Sequence, residues 1–365
     1  MTGSTETATG GKGIHMKKLL DRIFIDGLTG MAQGLFATLI IGTIIQQIGT
    51  YCGGNIGNLI FTLGKVAAGL TGAGIGAGVA RKLDAGHLVI VSAAAVGMIG
   101  AFAGDVMSGD ILSGGNLVLS GPGEPLGAFV ASYIAIEIGI LISGKTRLDI
   151  ILTPLVCIGA GSAVGLLAGP PISGFMSWLG SLINWGTEQQ PLVMGIVVSV
   201  LMGMILTLPI SSAALGVILN LSGLAAGAAT VGCCCNMIGF AVASFRENKF
   251  SGLLSQGIGT SMLQVPNIVR HPQIWIPPIL SSAILGPVST MVFHMTNNAT
   301  GSGMGTAGLV GPLMTWQVMT QSEAEMIVLV KIILIQFVLP AVITLLISEF
   351  MRKKKWIHFG DMKLE

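Results

Sequence analysis

The chain has 365 residues, of which 52% are hydrophobic and only 9% are charged. An average soluble domain carries about 25% charged residues, so this composition excludes a disordered chain, a disulfide-stapled scaffold and, in practice, a soluble enzyme. The formal net charge of +2 does not indicate a nucleic-acid partner. The mean hydropathy of +0.83 points instead to a lipid bilayer as the solvent, and the sequence predicts an all-α polytopic membrane protein.

The two ends of the chain are its most polar parts. Residues 1–16 are small and polar and end at a second methionine, so we interpret them as an expression remnant outside the fold. Lys17, Lys18 and Arg22 precede the first apolar stretch, and the basic tail 351–365 follows the last one. Because positive charges accumulate on the cytoplasmic side of membrane helices, we expect both termini in the cytoplasm.

The N-terminal membrane half, residues 17–168, divides into five apolar stretches of helical length. The predicted helices cover residues 27–48, 58–80, 87–104, 125–142 and 150–168. In the next segment, residues 169–190, large apolar side chains recur at helical spacing and include Trp178 and Trp185. Tryptophan is typical of membrane interfaces, so this segment is predicted to be one interfacial amphipathic helix.

The C-terminal membrane half, residues 191–350, is less regular. Its first part, residues 191–244, contains no charged residue. Three crossings would leave about 18 residues for each, near the lower limit for a spanning helix, so short or broken helices are predicted, with a break at Pro209. Two glycine-rich pieces are too short to span and are predicted to be re-entrant hairpins. These pieces cover 251–263 and 299–313, beside predicted spans over 275–293 and 325–347, which brings the total to about ten transmembrane helices.

The run Cys233, Cys234 and Cys235 could suggest a metal or redox site. Adjacent residues on a helix point about 100° apart, so one helix cannot present all three thiols to a single ion. Cysteine is also a small residue that packs well in apolar surroundings. We therefore interpret the run as packing, and we predict neither a metal nor a cofactor.

Several segments between residues 170 and 310 have distinctive sequences. They read GPPISGF, LINW, SVLMGMILTLPISSAALG, LSGLAAGAATVGCC, SQGIGTSMLQVPNI and NNATGSGMGTAGLVG. In these segments the chain resembles the membrane-embedded IIC components of the bacterial sugar phosphotransferase system (PTS). It is most similar to their divergent EIIC type 2-like branch, which includes members labelled as regulators. The resemblance implies a homodimeric sugar carrier in the bacterial cytoplasmic membrane, with hairpins around a central site.

The sequence lacks two features of complete phosphotransferase systems. It contains neither the phosphocysteine motif of a IIB domain nor the phosphohistidine of a IIA domain. The resemblance therefore implies that the phosphate donor is a separate IIB protein. We predict no catalytic phospho-site in this chain, which would be at most the membrane subunit of such an enzyme.

Glu124 is the first candidate for a substrate-binding residue. It lies between Pro122 and Pro125 in LSGPGEPLGAF, and GPGEP resembles the sugar-binding glutamate motif of glucose-family IIC proteins, although here it lies in the first half of the chain. A carboxylate can accept hydrogen bonds from neighbouring sugar hydroxyls, and ionisable groups at membrane depth are costly. The alternative is a solvated loop acid.

Other polar residues in apolar surroundings are further candidates for solute binding. They are Glu137, Asn236, Gln264, Asn267, His294 and Asn297. Amides both donate and accept hydrogen bonds, which suits hydroxyl recognition, and histidine can exchange a proton with a hydroxyl. Each type has a structural alternative: ion pairing for the glutamate, hydrogen bonding between helices for the amides, and a place at the outer interface for the histidine.

The sequence thus predicts an integral membrane carrier for a small polar solute, with a sugar as the expected class. Such a carrier would alternate access across a midplane site built from hairpins and broken helices. Two alternatives remain open at this stage. One is a membrane sensor or regulator that keeps the fold without transport, and the other is a transporter or channel for a non-sugar solute.

Overall fold

The computed structural model describes residues 18–113, 116–119 and 121–364, so the segment interpreted as an expression remnant lies outside the described residues. Helices dominate it. In chain order they are α1 (Lys18–Cys52), α2 (Gly54–Gly69), α3 (Thr71–Lys82), α4 (His87–Ala101), α5 (Ala103–Ser108), α6 (Pro125–Ile142), α7 (Asp149–Thr187), α8 (Pro191–Thr207), α9 (Ser212–Ile218), α10 (Gly223–Ala243), α11 (Phe245–Leu254), α12 (Val265–Arg270), α13 (Pro272–Met291), α14 (Ala299–Ser302), α15 (Val310–Met319) and α16 (Glu325–Lys353). The strands β1 (Leu112–Ser113) and β2 (Asn116–Leu117) form a small antiparallel hairpin between α5 and α6.

The predicted all-α membrane fold is confirmed, whereas the count of about ten spans is not. Among the described residues, six helices are long and apolar enough to cross a bilayer, or seven if α2 and α3 form one span bent by 51°. Two further apolar helices, α4 and α8, are shorter than a usual span. The sequence estimate counted such short helices as full crossings.

The largest departure from the sequence prediction is α7. This helix has 39 residues and contains Pro154, Pro170 and Pro171, so it continues through the segment that was predicted to be a separate interfacial helix. The Gly-Pro-Pro sequence at 169–171 suggested a break. Proline is nevertheless tolerated in membrane helices where neighbouring groups satisfy the freed carbonyls. At about 1.5 Å per residue the helix is about 58 Å long, nearly twice the ~30 Å hydrocarbon thickness.

Glycine allows the helix backbones of both halves to pack very closely. A Cβ atom on Gly34 would overlap the backbone of Gly74 in α3, and one on Gly76 would overlap the backbone of Ala93 in α4. In the second half, a Cβ on Gly232 in α10 would overlap the backbone of Ser199 in α8. Membrane helices commonly associate through small residues at the points where they cross.

The uncharged stretch 191–244 contains broken helices, as predicted. Helix α8 ends at Thr207, and the backbone is extended at Leu208, just before Pro209. The chain then forms the seven-residue helix α9 before it enters α10. Proline supplies no N–H group and clashes with a helical residue before it, which explains why α8 ends here.

The two glycine-rich pieces form short, interrupted elements that contact each other. The first includes a π-helical turn, Ser255–Gly259, and a 3₁₀ turn, Ser261–Gln264. The second includes α14 and the 3₁₀ turn Ala307–Leu309. The Thr306 hydroxyl of the second piece donates a hydrogen bond to the Gly257 carbonyl of the first.

The three consecutive cysteines lie in α10 and are fully buried. A Cβ atom on Gly305 would come within 2.8 Å of the Cys233 Cβ, so the second glycine-rich piece packs tightly on this helix. Among the described residues, no group of three His, Cys, Asp or Glu side chains could hold a metal ion. Cys233 Sγ contacts the Met202 carbonyl at 3.5 Å and the Ser302 carbonyl at 3.8 Å, so this thiol packs between α10 and its neighbours.

Both ends of the described chain lie on one end of the helix bundle, which we call the basic face. It carries the start of α1, the end of α3, and the segments 267–271 and 352–364. A buried ion pair ties two helices together there: Arg352 Nη2 of α16 lies 2.8 Å from Glu247 Oε1 of α11. Arg352 also donates to the Ala243 carbonyl at 3.1 Å.

We expect E247Q to destabilise the protein by about 3 kcal/mol, because it leaves Arg352 buried without a countercharge. The side chains of Glu247 and Arg352 are only 0% and 9% exposed. The matched control is E349Q, whose partner Arg246 is 61% exposed, and it should cost less than about 1 kcal/mol. Thermal unfolding of the purified proteins compares the two. Equal midpoints would mean that the buried pair contributes no more than the exposed one.

Candidate functional site

Glu124 is held at the start of α6 by the residues around it. Gly123 has φ +73°, a left-handed conformation that glycine adopts without strain, and it packs against Ala101 at the end of α4. Glu124 is the N-cap residue of α6: its carboxylate accepts a hydrogen bond from the Leu126 N–H at 3.5 Å. Pro125 occupies the first helical position, which suits its fixed φ. Gly-Glu-Pro therefore ends a loop and starts a helix.

The same carboxylate reaches the break that follows Pro209. Besides the Leu126 N–H, it interacts with the backbone N–H of Ser211, which favours its charged form. Ser211 in turn caps α9, since its hydroxyl accepts from the Ala214 N–H at 3.2 Å. A glutamate of the first half thus meets interrupted backbone of the second half.

A third segment without regular helix joins this meeting point. The Ser212 hydroxyl donates to the Gly303 carbonyl at 2.6 Å, which attaches the second glycine-rich piece to the start of α9. We call the three segments 121–124, 208–212 and 300–308 the loop junction. In membrane proteins, irregular backbone is tolerated where it is buried in protein or lines a water-filled cavity, so the loop junction is the candidate for a solute site.

Burial changes the protonation of Glu124. The residue lies just outside the candidate span that begins at Pro125. Burial raises the pKa of Glu124 to about 7, although the N–H groups of Leu126 and Ser211 favour the charged form. Near neutral pH this carboxyl group can therefore accept hydrogen bonds or, when protonated, donate one, and both suit a hydroxylated ligand.

Asn236 lies in a saturated hydrogen-bond cluster between helices. Its Oδ1 accepts from Thr207 Oγ1 at 3.2 Å and from Trp275 Nε1 at 3.0 Å. Its Nδ2 donates to the Ser282 hydroxyl at 3.3 Å and to the Gly232 carbonyl at 3.2 Å. The described contacts thus match the alternative of hydrogen bonding between α8, α10 and α13.

Gln264 and Asn267 lie side by side, at the basic face rather than at the loop junction. Asn267 Nδ2 donates to Gln264 Oε1 at 2.8 Å. Both amides also hold the end of the chain: Gln264 Nε2 donates to the Met362 carbonyl at 2.9 Å, and Asn267 Nδ2 donates to the Lys363 carbonyl at 2.9 Å. In this structure both amides therefore have backbone carbonyl groups of the C-terminal segment as hydrogen-bond partners.

The other predicted residues lie apart from these. Glu137 pairs with Arg22 of α1, with 2.6 Å between Oε1 and Nε. His294 is exposed in a left-handed conformation with φ +46°. Asn297 is buried and donates to the hydroxyls of Thr230 and Thr315, at 2.8 and 3.0 Å. The structure therefore does not bring the seven predicted residues into one site.

A chain of polar groups nevertheless connects the loop junction with the basic face. Thr306 of the loop junction contacts the Gly257 carbonyl, and the next residue back, Gln256, accepts from Gln264 Nε2 at 2.8 Å. Sequence reasoning missed Ser211 and Gln256. The proline of the LTLPISS motif was a signal for Ser211, because it predicts a helix break just before this residue. No local pattern pointed to Gln256, since glutamine is common at helix ends.

The fold defines a polytopic membrane protein in which interrupted helices from both halves meet at a half-buried polar junction. Residues 25–364 match the family model described as "Phosphotransferase system, EIIC". The chain therefore belongs to this family and is a membrane translocation subunit of the IIC type. No curated protein matches it with significant similarity.

Proposed function

We propose that this IIC-type subunit carries a sugar-like, polyhydroxylated solute and that Glu124 is the residue that anchors it. The observation behind the proposal is the position of the Glu124 carboxyl group, half-buried where interrupted backbone from both halves meets. A carboxyl group that titrates near pH 7 can form two hydrogen bonds to vicinal hydroxyls in either protonation state. Buried polar groups, from Thr306 through Gln256 to Gln264, lie between this site and the basic face.

Further parts of the proposal come from the family. We propose that the basic face lies in the bacterial cytoplasm with both termini, in agreement with the positive-inside rule. There a separate IIB protein would supply the phosphate, and this chain would present the solute hydroxyl without forming a phospho-intermediate of its own. We also propose that the chain works as a homodimer, as the resemblance implies. Gln264, Asn267, Asn236, His294 and Asn297 are proposed as polar positions that support the site without contacting the solute, and Glu137 is assigned to its ion pair with Arg22.

Solute binding by purified full-length protein tests the proposal. We expect at least one member of a panel of glucose, galactose, N-acetylglucosamine, maltose, cellobiose and mannitol to raise the thermal midpoint, because a ligand that binds the native state stabilises it. E124Q should weaken that binding by about 10- to 100-fold, since hydrogen bonds to a charged group contribute about 1.5–3 kcal/mol. Titration of the midpoint shift against solute concentration gives both affinities.

The matched control is E137Q. It changes another carboxylate of α6, and this carboxylate is already paired with Arg22. It should bind the solute as the parent does. No shift with any member of the panel, or equal affinity for E124Q and the parent, would contradict the proposal. Binding without flux in proteoliposomes would instead favour the sensor or regulator.

A further inference from the structure

The chain turns back on itself after α16. The helix ends at Lys353, and Lys355 and Gly360 have left-handed φ angles of +61° and +101°. Residues 357–364, which we call the C-terminal strap, lie across the basic face. Met362 is fully buried, whereas Phe359 is 75% exposed, so the strap has an inner face and an outer face.

Three side-chain amides hold the backbone of the strap. The Met362 carbonyl accepts from Asn248 Nδ2 at 2.8 Å and from Gln264 Nε2 at 2.9 Å. The Lys363 carbonyl accepts from Asn267 Nδ2 at 2.9 Å, and the Leu364 N–H donates to Asn248 Oδ1 at 2.8 Å. Hydrogen bonding to the backbone of an extended peptide is a common way to bind a segment reversibly.

The strap forms one wall of a cleft between the two halves of the protein. Lys363 and Leu364 form part of the wall of a cavity of about 390 Å³. Its other walls include Gln33 of α1 and Ser255 of the first glycine-rich piece. Because Gln264 also contacts Gln256, the strap covers the end of the polar route that starts at the loop junction.

The strap has a fixed anchor and a weak attachment beyond it. Arg352 is held by Glu247 and the Ala243 carbonyl, so the chain is fixed where α16 ends. Beyond this point, the buried apolar side chains are Ile357 and Met362. The strap makes two further hydrogen bonds, from the Gly360 N–H to Glu247 Oε1 at 3.3 Å and from Arg352 Nη1 to the His358 carbonyl at 3.4 Å, and Asp361 Oδ1 lies 3.7 Å from His271 Nε2. Ordering eight residues costs conformational entropy that two buried apolar side chains and six hydrogen bonds offset only narrowly.

We propose that the C-terminal strap is a lid that closes the basic face of the carrier and leaves it without unfolding of the membrane helices. When it leaves, the amides of Asn248, Gln264 and Asn267 become free and the cavity opens further to water. The lid goes beyond the proposed function and does not depend on which solute is carried. Its test therefore needs no solute, so failure of the lid and failure of the sugar proposal are distinguishable.

A reporter cysteine at Ser255, which lines the cavity, measures whether the lid is open. The background carries C52S, because Cys52 is exposed whereas Cys157 and Cys233–Cys235 are buried. M362D places a charge on the inner face and should release the strap, while F359D places the same charge on the outer face. With full-length protein in detergent and a water-soluble maleimide, we expect M362D to label Ser255→Cys at least tenfold faster and F359D to stay within twofold of the parent.

A second variant that lacks residues 357–365 should label as fast as M362D. In both variants the four buried cysteines should stay unreactive and the thermal midpoint should stay near that of the parent. Equal labelling of M362D and the parent would overturn the lid. So would reaction of the buried cysteines in M362D and in the shortened chain, because the strap would then be part of the folded core.

Discussion

Replacing Gly232 by valine is expected to leave little or no folded protein. Any Cβ at this position in α10 would overlap the Ser199 carbonyl group of α8. The obstacle is backbone rather than a flexible side chain, so the two helices would have to separate. Separation would also disrupt the hydrogen bonds of Asn236, which lies one helical turn further along α10. We expect a loss of more than about 4 kcal/mol, the range of the most damaging single substitutions.

The yield of monodisperse protein after size-exclusion chromatography measures this effect, together with the thermal midpoint of any protein that survives. The matched control is G159A on α7, where an added Cβ meets no atom within 4 Å. Alanine favours helix over glycine by up to about 1 kcal/mol, so G159A should equal or slightly exceed the parent in stability. A monodisperse G232V with the parent's midpoint would show that α8 and α10 do not pack as described.

The second large effect concerns pH. Because the pKa of Glu124 is raised from 4.5 to about 7 in the folded protein, the folded state retains a proton that the unfolded state has lost over this range. The contribution of Glu124 to stability should be complete below pH 4.5, decrease as the pH rises to 7, and change little above that. At about 1.4 kcal/mol for each pH unit, the decrease reaches about 3 kcal/mol.

Thermal midpoints between pH 4 and 8 measure this dependence. The amide that E124Q introduces does not titrate, so this variant should lack the decrease in stability that Glu124 causes. Its thermal midpoint should therefore rise relative to that of the parent as the pH rises. E188Q, at an exposed position after α7, should follow the parent. A parallel pH profile for E124Q and the parent would mean that Glu124 is solvated in the folded protein, and would also weaken its assignment as the solute anchor.

Local sequence signals located several elements well. The bounds of α6 agree with the prediction because Pro125 starts the helix and the apolar run ends where the polar loop begins. The break at Pro209 was predictable from helix length and from the chemistry of proline. In α7, by contrast, the helix continues through Pro170 and Pro171, although both prolines are exposed.

The candidate site was less predictable because its contacts join distant parts of the chain. The amides of Gln264 and Asn267 stood out correctly as polar residues in an apolar region. Their partners, however, are carbonyl groups that lie 98 and 96 residues further along the chain. Likewise, nothing local linked Glu124 to Ser211. Contacts of this kind follow from the packing of the helices and not from any pattern within one segment.

The length of α7 has a mechanical consequence. Its first part packs on the first half, where Gly161 meets Ala135 of α6. Its last part packs on the second half, where Gly186 meets Val197 of α8. The two halves thus share one continuous helix, and neither half can rotate relative to the other unless α7 bends. Flexing is least costly near Pro170 and Pro171, where the ladder of backbone hydrogen bonds lacks two donors.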